Sequence, residues 1–154
     1  MSGSREPELT SEQRDALAIG VAQFNQGLYF ECHETLEDVW RVFKGPSRDF
    51  FQALIQVSVG FHHLERGNQL GALRTFARAL GRFEPYPAHY LGFDVAEERN
   101  RIAELLGASA EDAAAPVQRA AARLEGRYGL GATGAGTIRR PERRPIWSYN
   151  PSLE

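Results

Sequence analysis

Apolar side chains recur three and four residues apart from Leu17 to Leu106, a spacing that predicts helices rather than strands. Thr10-Ser11-Glu12-Gln13 reads as a capping box, so a first helix runs from there to about Gln26, with Leu17, Val21 and Phe24 inward. Gly27 ends it. A second helix is expected from about Phe30 to Phe43 and is broken by Gly45-Pro46-Ser47. The third, about Arg48 to Arg66, is the most apolar segment, with Phe50, Phe51, Leu54, Ile55, Val57, Val59, Phe61 and Leu64. After the turn Gly67-Asn68 a fourth helix covers about Leu70 to Phe83. Two prolines exclude regular helix from Glu84 to Gly92. Asp94-Val95-Ala96-Glu97 opens a shorter helix to about Leu106, and Ser109 opens an Ala-rich one to about Tyr128.

No segment alternates convincingly as a strand, so the expected fold is all-α, a compact bundle of five or six helices. A weak internal repeat sharpens this. Phe24-x-x-Gly27-x-x-x-x-Cys32-x-x-x-Leu36-x-x-x-Trp40 lines up with Leu64-x-x-Gly67-x-x-x-x-Ala72-x-x-x-Phe76-x-x-x-Leu80. The pattern predicts two tetratricopeptide-like helical hairpins, short of the three repeats a solenoid needs. The expected organisation is a disordered leader over residues 1–9, a helical domain over 10–128 and a flexible Gly/Arg/Pro-rich tail over 129–154.

Composition narrows the function classes. A net charge of −2 gives no global reason to bind nucleic acid or an acidic membrane. The tail Arg139-Arg140-Pro141-Glu142-Arg143-Arg144-Pro145-Ile146-Trp147-Ser148-Tyr149 is the exception, being basic and aromatic; it suits either nucleic acid or docking of Trp147 on its own domain or a partner. The single cysteine, Cys32, excludes an internal disulfide. With no apolar leader or membrane-length run, the expectation is a cytoplasmic protein.

The chemistry concentrates on the second helix. At about 100° per residue, Val39, Cys32, Phe43, Leu36 and Trp40 form one apolar arc. His33 and Glu37 come next, at i and i+4, on the flank of the core, and Phe30 lies just beyond. The third helix supplies a polar stripe of Arg48, Gln52, Gln56 and His63. Antiparallel packing would bring Arg48 near Glu37 or Trp40, and Gln56 or His63 to the level of His33. Three readings compete. One is a structural polar network, with Glu37 ionised and held by Arg48 or the glutamine amides. Another is a divalent metal bound by His33, Glu37 and His62 or His63, for which the spacing is permissive only. The third is acid–base chemistry by His33 and Glu37 beside Trp40, Phe30 and Tyr29. Cys32, on the apolar arc, reads as an inert core thiol.

These residues resemble domain-of-unknown-function family 309. The blocks that carry the resemblance are Phe-Asn-x-Gly-x-Tyr-Phe-Glu-Cys-His-Glu-x-Leu-Glu-x-x-Trp at Phe24 to Trp40, Gly45-Pro46, Arg-x-Phe-x-Gln-x-Leu-Ile-Gln at Arg48 to Gln56, and Tyr-Leu-Gly-Phe-Asp at Tyr90 to Asp94. Ala53 departs from the glycine expected within the third block. The resemblance implies a small all-helical domain marked by His33, Glu37 and Trp40, with Arg48, Gln52 and Gln56 at the family's Arg and Gln positions. It implies no activity. The expectation is therefore a polar pocket of these six residues for a metal or small ligand. The alternative is a protein-interaction or scaffold module in which they are structural. The sequence leaves a small-ligand, protein or homo-oligomeric partner open.

Overall fold

A computed structural model describes residues 9–107, 141 and 143–151. It contains helices α1 (Ser11–Asn25), α2 (Tyr29–Trp40), α3 (Arg48–Glu65), α4 (Gln69–Phe83) and α5 (Val95–Leu105). The fold is an all-α bundle. The helix expected from Ser109 to Tyr128 and most of the expected leader lie outside the described residues. Among the described residues, no helix is long and apolar enough to cross a membrane.

Local chemistry fixes the starts of α1, α4 and α5 and the ends of α1 and α3. Thr10 accepts from the Gln13 amide while the Gln13 side chain accepts from the Thr10 amide, a complete capping box. Asn68 caps α4 through the Gly71 amide, and Asp94 caps α5 through the Glu97 amide. The turns after α1 and α3 are the same Schellman motif. Leu28 N–H donates to Gln23 O and Gly27 N–H to Phe24 O; Asn68 N–H donates to His63 O and Gly67 N–H to Leu64 O. Both turns need a left-handed residue, and the sequence puts Gly27 (φ 81°) and Gly67 (φ 77°) there. The repeat seen in the sequence thus carries a repeated turn. Helix α2 stops at Trp40, three residues before the expected end.

Helix α3 sits between α2 and α4 and is covered from both sides. Ten of its residues are buried, among them Phe50, Phe51, Leu54 and Phe61. Two aromatic clusters close its ends. At its start, Phe50 meets Phe83, Tyr86, Tyr90 and Phe93 edge-on. At its far end, Phe61 packs on Phe24, Tyr29 and Phe76. Side chains of this size dominate core burial.

Two features depart from the sequence reading. The proline-containing connector holds a short antiparallel ribbon, His89–Tyr90 against Phe93–Asp94, turned by Leu91 (φ 50°) and Gly92 (φ 83°). Positive φ at both central residues is the signature of a tight hairpin. The leucine accepts this backbone because its side chain is fully buried. Tyr90 Oη bonds Ser47 Oγ at 2.7 Å and Tyr86 Oη donates to Pro46 O at 2.6 Å, so both tyrosines tie this connector to the turn before α3. Second, residues 143–151 of the expected flexible tail pack onto the bundle, the docking of Trp147 on its own domain that the sequence left open. Trp147 is buried and stacks on Phe24 at 3.9 Å with the rings nearly parallel. Tyr149 bridges to Phe93, and Leu9, assigned to the leader, is also buried.

Helices α3 and α4 are tightly packed at Gly60, where an added Cβ would lie 2.6 Å from the buried Phe76 ring. Overpacking there costs about 1–3 kcal/mol. Gly60→Ala is therefore expected to lower stability in urea unfolding despite the better helix propensity of alanine.

Candidate functional site

Antiparallel packing of α2 on α3 sets the register of the site. Phe43 meets Phe51 at 5.0 Å near the connecting turn, and Phe30 meets His62 at 5.4 Å at the other end. Between these contacts lie His33, Glu37 and Trp40 on α2 and Gln52 and Gln56 on α3, with Arg48 at the start of α3, all half-buried.

At the turn end, the Arg48 guanidinium lies 4.1 Å above the Trp40 ring, and its Nε donates to Phe43 O at 3.0 Å. The carbonyl belongs to the chain just past α2, where helical partners run out. A cation over an indole is worth about 0.5–2 kcal/mol, depending on desolvation. The Trp40 indole N–H beneath is buried and bonds nothing, and the buried Gln56 Oε1 also has no partner. Long helical side chains lean toward their own N-terminus. In an antiparallel pair, Trp40 and Gln56 therefore lean toward each other, toward the level of Glu37 and Gln52.

His33 and Glu37 are less enclosed, with 22% and 30% of their side chains exposed. Their bonds stay on α2. His33 Nδ1 lies 3.1 Å from Phe30 O, and its Nε2 is 3.9 Å from Glu37 Oε2. Glu37 accepts from Arg41 at 2.8 Å. Arg48 is thus not the partner of Glu37. The carboxylate takes the nearer i, i+4 arginine, which needs no tertiary contact, while Arg48 is drawn onto Trp40.

The expected metal set does not assemble. Among the described residues, no three His, Cys, Asp or Glu side chains converge as a metal site. His63 turns aside and lies 3.2 Å from Asn68 Nδ2, leaving His62 as the histidine facing Phe30. Burial, with His62 beside it, lowers the pKa of His63. Cys32 is fully buried, and burial pushes its thiol up to about 12 despite hydrogen bonding from Ser58.

One group was not singled out in the sequence. Glu98 is the only buried charged side chain among the described residues. It accepts from the Trp147 indole at 3.1 Å and lies 2.9 Å from Arg101 Nη1. Burial raises its carboxyl to about 7, against the lowering influence of Arg101 and Trp147. A signal existed: Glu98 falls in phase with Val95 and Ile102, both core residues.

The class so defined is a small all-α domain with a polar seam between its second and third helices. Residues 17–75 match the family model described as Domain of unknown function (DUF309). That stretch holds all six residues of the seam. The chain is 30% identical over 105 residues to an uncharacterized protein of Aquifex aeolicus (strain VF5), covering 68% of this chain and 29% of that protein. It is 32% identical over 79 residues to the uncharacterized protein YpuF of Bacillus subtilis (strain 168), covering 51% of this chain and 44% of that protein. The chain thus spans less than half the length of either relative.

Because His33 and Glu37 bond only within α2, neither is expected to matter much for folding. Partly exposed pairs of this kind contribute about 1 kcal/mol or less. His33→Ala and Glu37→Gln should each unfold in urea within about 1 kcal/mol of the parent; a loss of several would make them structural. Cys32 should resist alkylation at neutral pH in the folded protein and react on unfolding, which mass spectrometry reads directly.

Proposed function

We propose that the α2–α3 seam is a binding site for a small polar ligand. The observation that carries this reading is the pair of unpartnered buried atoms, a donor at Trp40 Nε1 and an acceptor at Gln56 Oε1. A buried polar group left unsatisfied costs about 1–3 kcal/mol, so two in one seam call for a reason beyond packing. Arg48 adds a cation above Trp40, and His33 with Glu37 line the more open flank. A ligand with an acceptor group meets the indole and the guanidinium; a ligand N–H meets Gln56. Organic or oxyanion ligands suit this seam better than a metal, since its unpartnered groups are an N–H donor and a neutral amide oxygen. In this reading His33 and Glu37 are the groups able to exchange a proton with the ligand, and Trp40 is its wall.

A second reading has one observation in its favour. Phe30 is 46% exposed and lies between His33 and His62 on the same face, as an anchor for a protein partner would. In that case the helical hairpins are an interaction module.

The chain has two tryptophans, so the test needs two indole signals in a nitrogen-15 spectrum of the full chain. Acetate, inorganic phosphate and acetamide serve as probes. The Trp40 indole proton is expected to shift downfield as it gains an acceptor, whereas that of Trp147, already bonded to Glu98, stays. Arg48→Gln should abolish the response to the two anions, and Gln56→Met the response to acetamide. Silence of Trp40 toward all three up to about 10 mM, a range suited to ligands of so few atoms, would sink the ligand reading. Partner binding lost in Phe30→Ser alone would favour the second.

A further inference from the structure

The segment from Arg143 to Pro151 is held by a small set of specific bonds centred on a single carboxylate. Trp147 gives its indole N–H to Glu98 and its backbone N–H to Asn25 Oδ1 at 2.8 Å. Arg101, paired with Glu98, reaches with its other Nη to Ile146 O at 2.6 Å. Ser148 Oγ donates to Glu97 Oε1 at 2.7 Å. The backbone is zipped to the ribbon by Asp94 N–H to Ser148 O and Asn150 N–H to Gly92 O. The seat beneath Trp147 is aromatic, with Phe24 stacked on it and Phe93 edge-on. Glu98 and Arg101 therefore hold the side chain of one strap residue and the carbonyl of its neighbour together.

We propose that residues 143–151 are a proton-gated strap: Glu98 favours the docked strap when protonated and loosens it when ionised. The geometry couples the two, because the strap's Trp147 lies over a carboxylate that is 6% exposed. With the strap in place, Trp147 seals Glu98 from water, and only Arg101 and the Trp147 indole N–H compensate a charge there. With the strap away, water reaches the carboxylate and its ordinary acidity returns. Of the charged and titratable groups around it, Arg101 and Glu97 come from α5. Tyr29 of α2 interacts with Arg101, and beyond it stand Glu65 of α3 and Arg144 of the strap itself. From α1 the neighbour is the neutral Asn25. Among these, Arg101 opposes the burial penalty and Glu97 adds to it.

The direction follows from the sign of the shift. Glu98 titrates near 7 when docked, against a reference of 4.5. Docking therefore takes up a proton between those values. The docking constant is greatest below the lower value, falls about tenfold per pH unit as pH rises through the window, and levels off above about 7. Release uncovers the faces of Phe24 and Phe93 that Trp147 covers. It also removes Arg143, Arg144 and Pro145 as one wall of a cleft of about 160 Å³ whose other wall is Tyr29, Phe61, Leu64 and Glu65. Tyr29 and Phe61 are the chain neighbours of Phe30 and His62, so the strap lies next to the α2–α3 seam without depending on it.

The test uses the full chain labelled with 5-fluorotryptophan, which gives one fluorine signal for each tryptophan. Relaxation of the Trp147 signal by a neutral gadolinium chelate reports its exposure. It is expected to rise severalfold between pH 5.5 and 7.5, while that of Trp40 stays flat. In Glu98→Gln, whose amide oxygen still accepts from the indole, the exposure of Trp147 should stay low and independent of pH. A carbon-13 titration of the Glu98 carboxyl in the unmodified chain supplies a check that needs no variant: its midpoint must coincide with that of strap release. Constant exposure of Trp147, the same pH profile in Glu98→Gln, or two separate midpoints would each overturn the proposal.

Discussion

Everything in this domain is arranged around the need to cover α3. Its apolar side chains point in nearly every direction, so one neighbouring helix cannot bury them. Helices α2 and α4 take opposite sides, and the two aromatic clusters seal the ends. The remaining polar stripe, Arg48, Gln52 and Gln56, is only partly open to water once α2 is in place. It ends in a seam, half-buried, against the face of α2 that carries His33, Glu37 and Trp40. The candidate site is thus a by-product of covering an apolar helix that is polar along one line. A seam of this kind screens its polar groups partly from water without enclosing them.

Two kinds of polar contact coexist in the molecule and differ in what they fasten. The ion pairs of His33, Glu37 and Arg41 run along one helix and would survive if α2 were lifted from the bundle. The contacts of Glu98 join α5 to a segment far along the chain, and Asn25 at the end of α1 is drawn into the same knot. Local pairs tune a surface. Non-local ones decide which segments stay together.

What the sequence made legible follows the same division. Helix starts, glycine turns and the inward faces were readable because caps, Schellman turns and 3.6-residue periodicity are local. So was the placement of His33 and Glu37 on the flank of α2, and of Arg48 near Trp40. The choice of partner was not. Whether Glu37 takes Arg41 or Arg48 depends on the rotation of α3, and whether His62 or His63 faces α2 depends on a difference of one residue in that rotation. The ribbon at His89–Asp94 is too short to show alternation. The strap was legible only as one alternative for Trp147, since an Arg/Pro-rich composition suggests a solvated arm and the indole's seat on Phe24 and Phe93 is non-local. Glu98 was passed over because a glutamate in an apolar phase looks like an error of phase until its indole partner is known.

The repeated turn after α1 and α3 offers a comparison inside one molecule. With Gly27 laid on Gly67, His33 corresponds to Leu73, Glu37 to Ala77 and Trp40 to Leu80. The second set is apolar and buried. The same position in the same hairpin architecture is therefore filled by ordinary hydrocarbon one repeat later. Nothing in how such a hairpin packs demands a histidine, a carboxylate or an indole at these points. At these three positions the second helix pair uses its side chains to close the bundle, and the first leaves them polar or aromatic and half-buried.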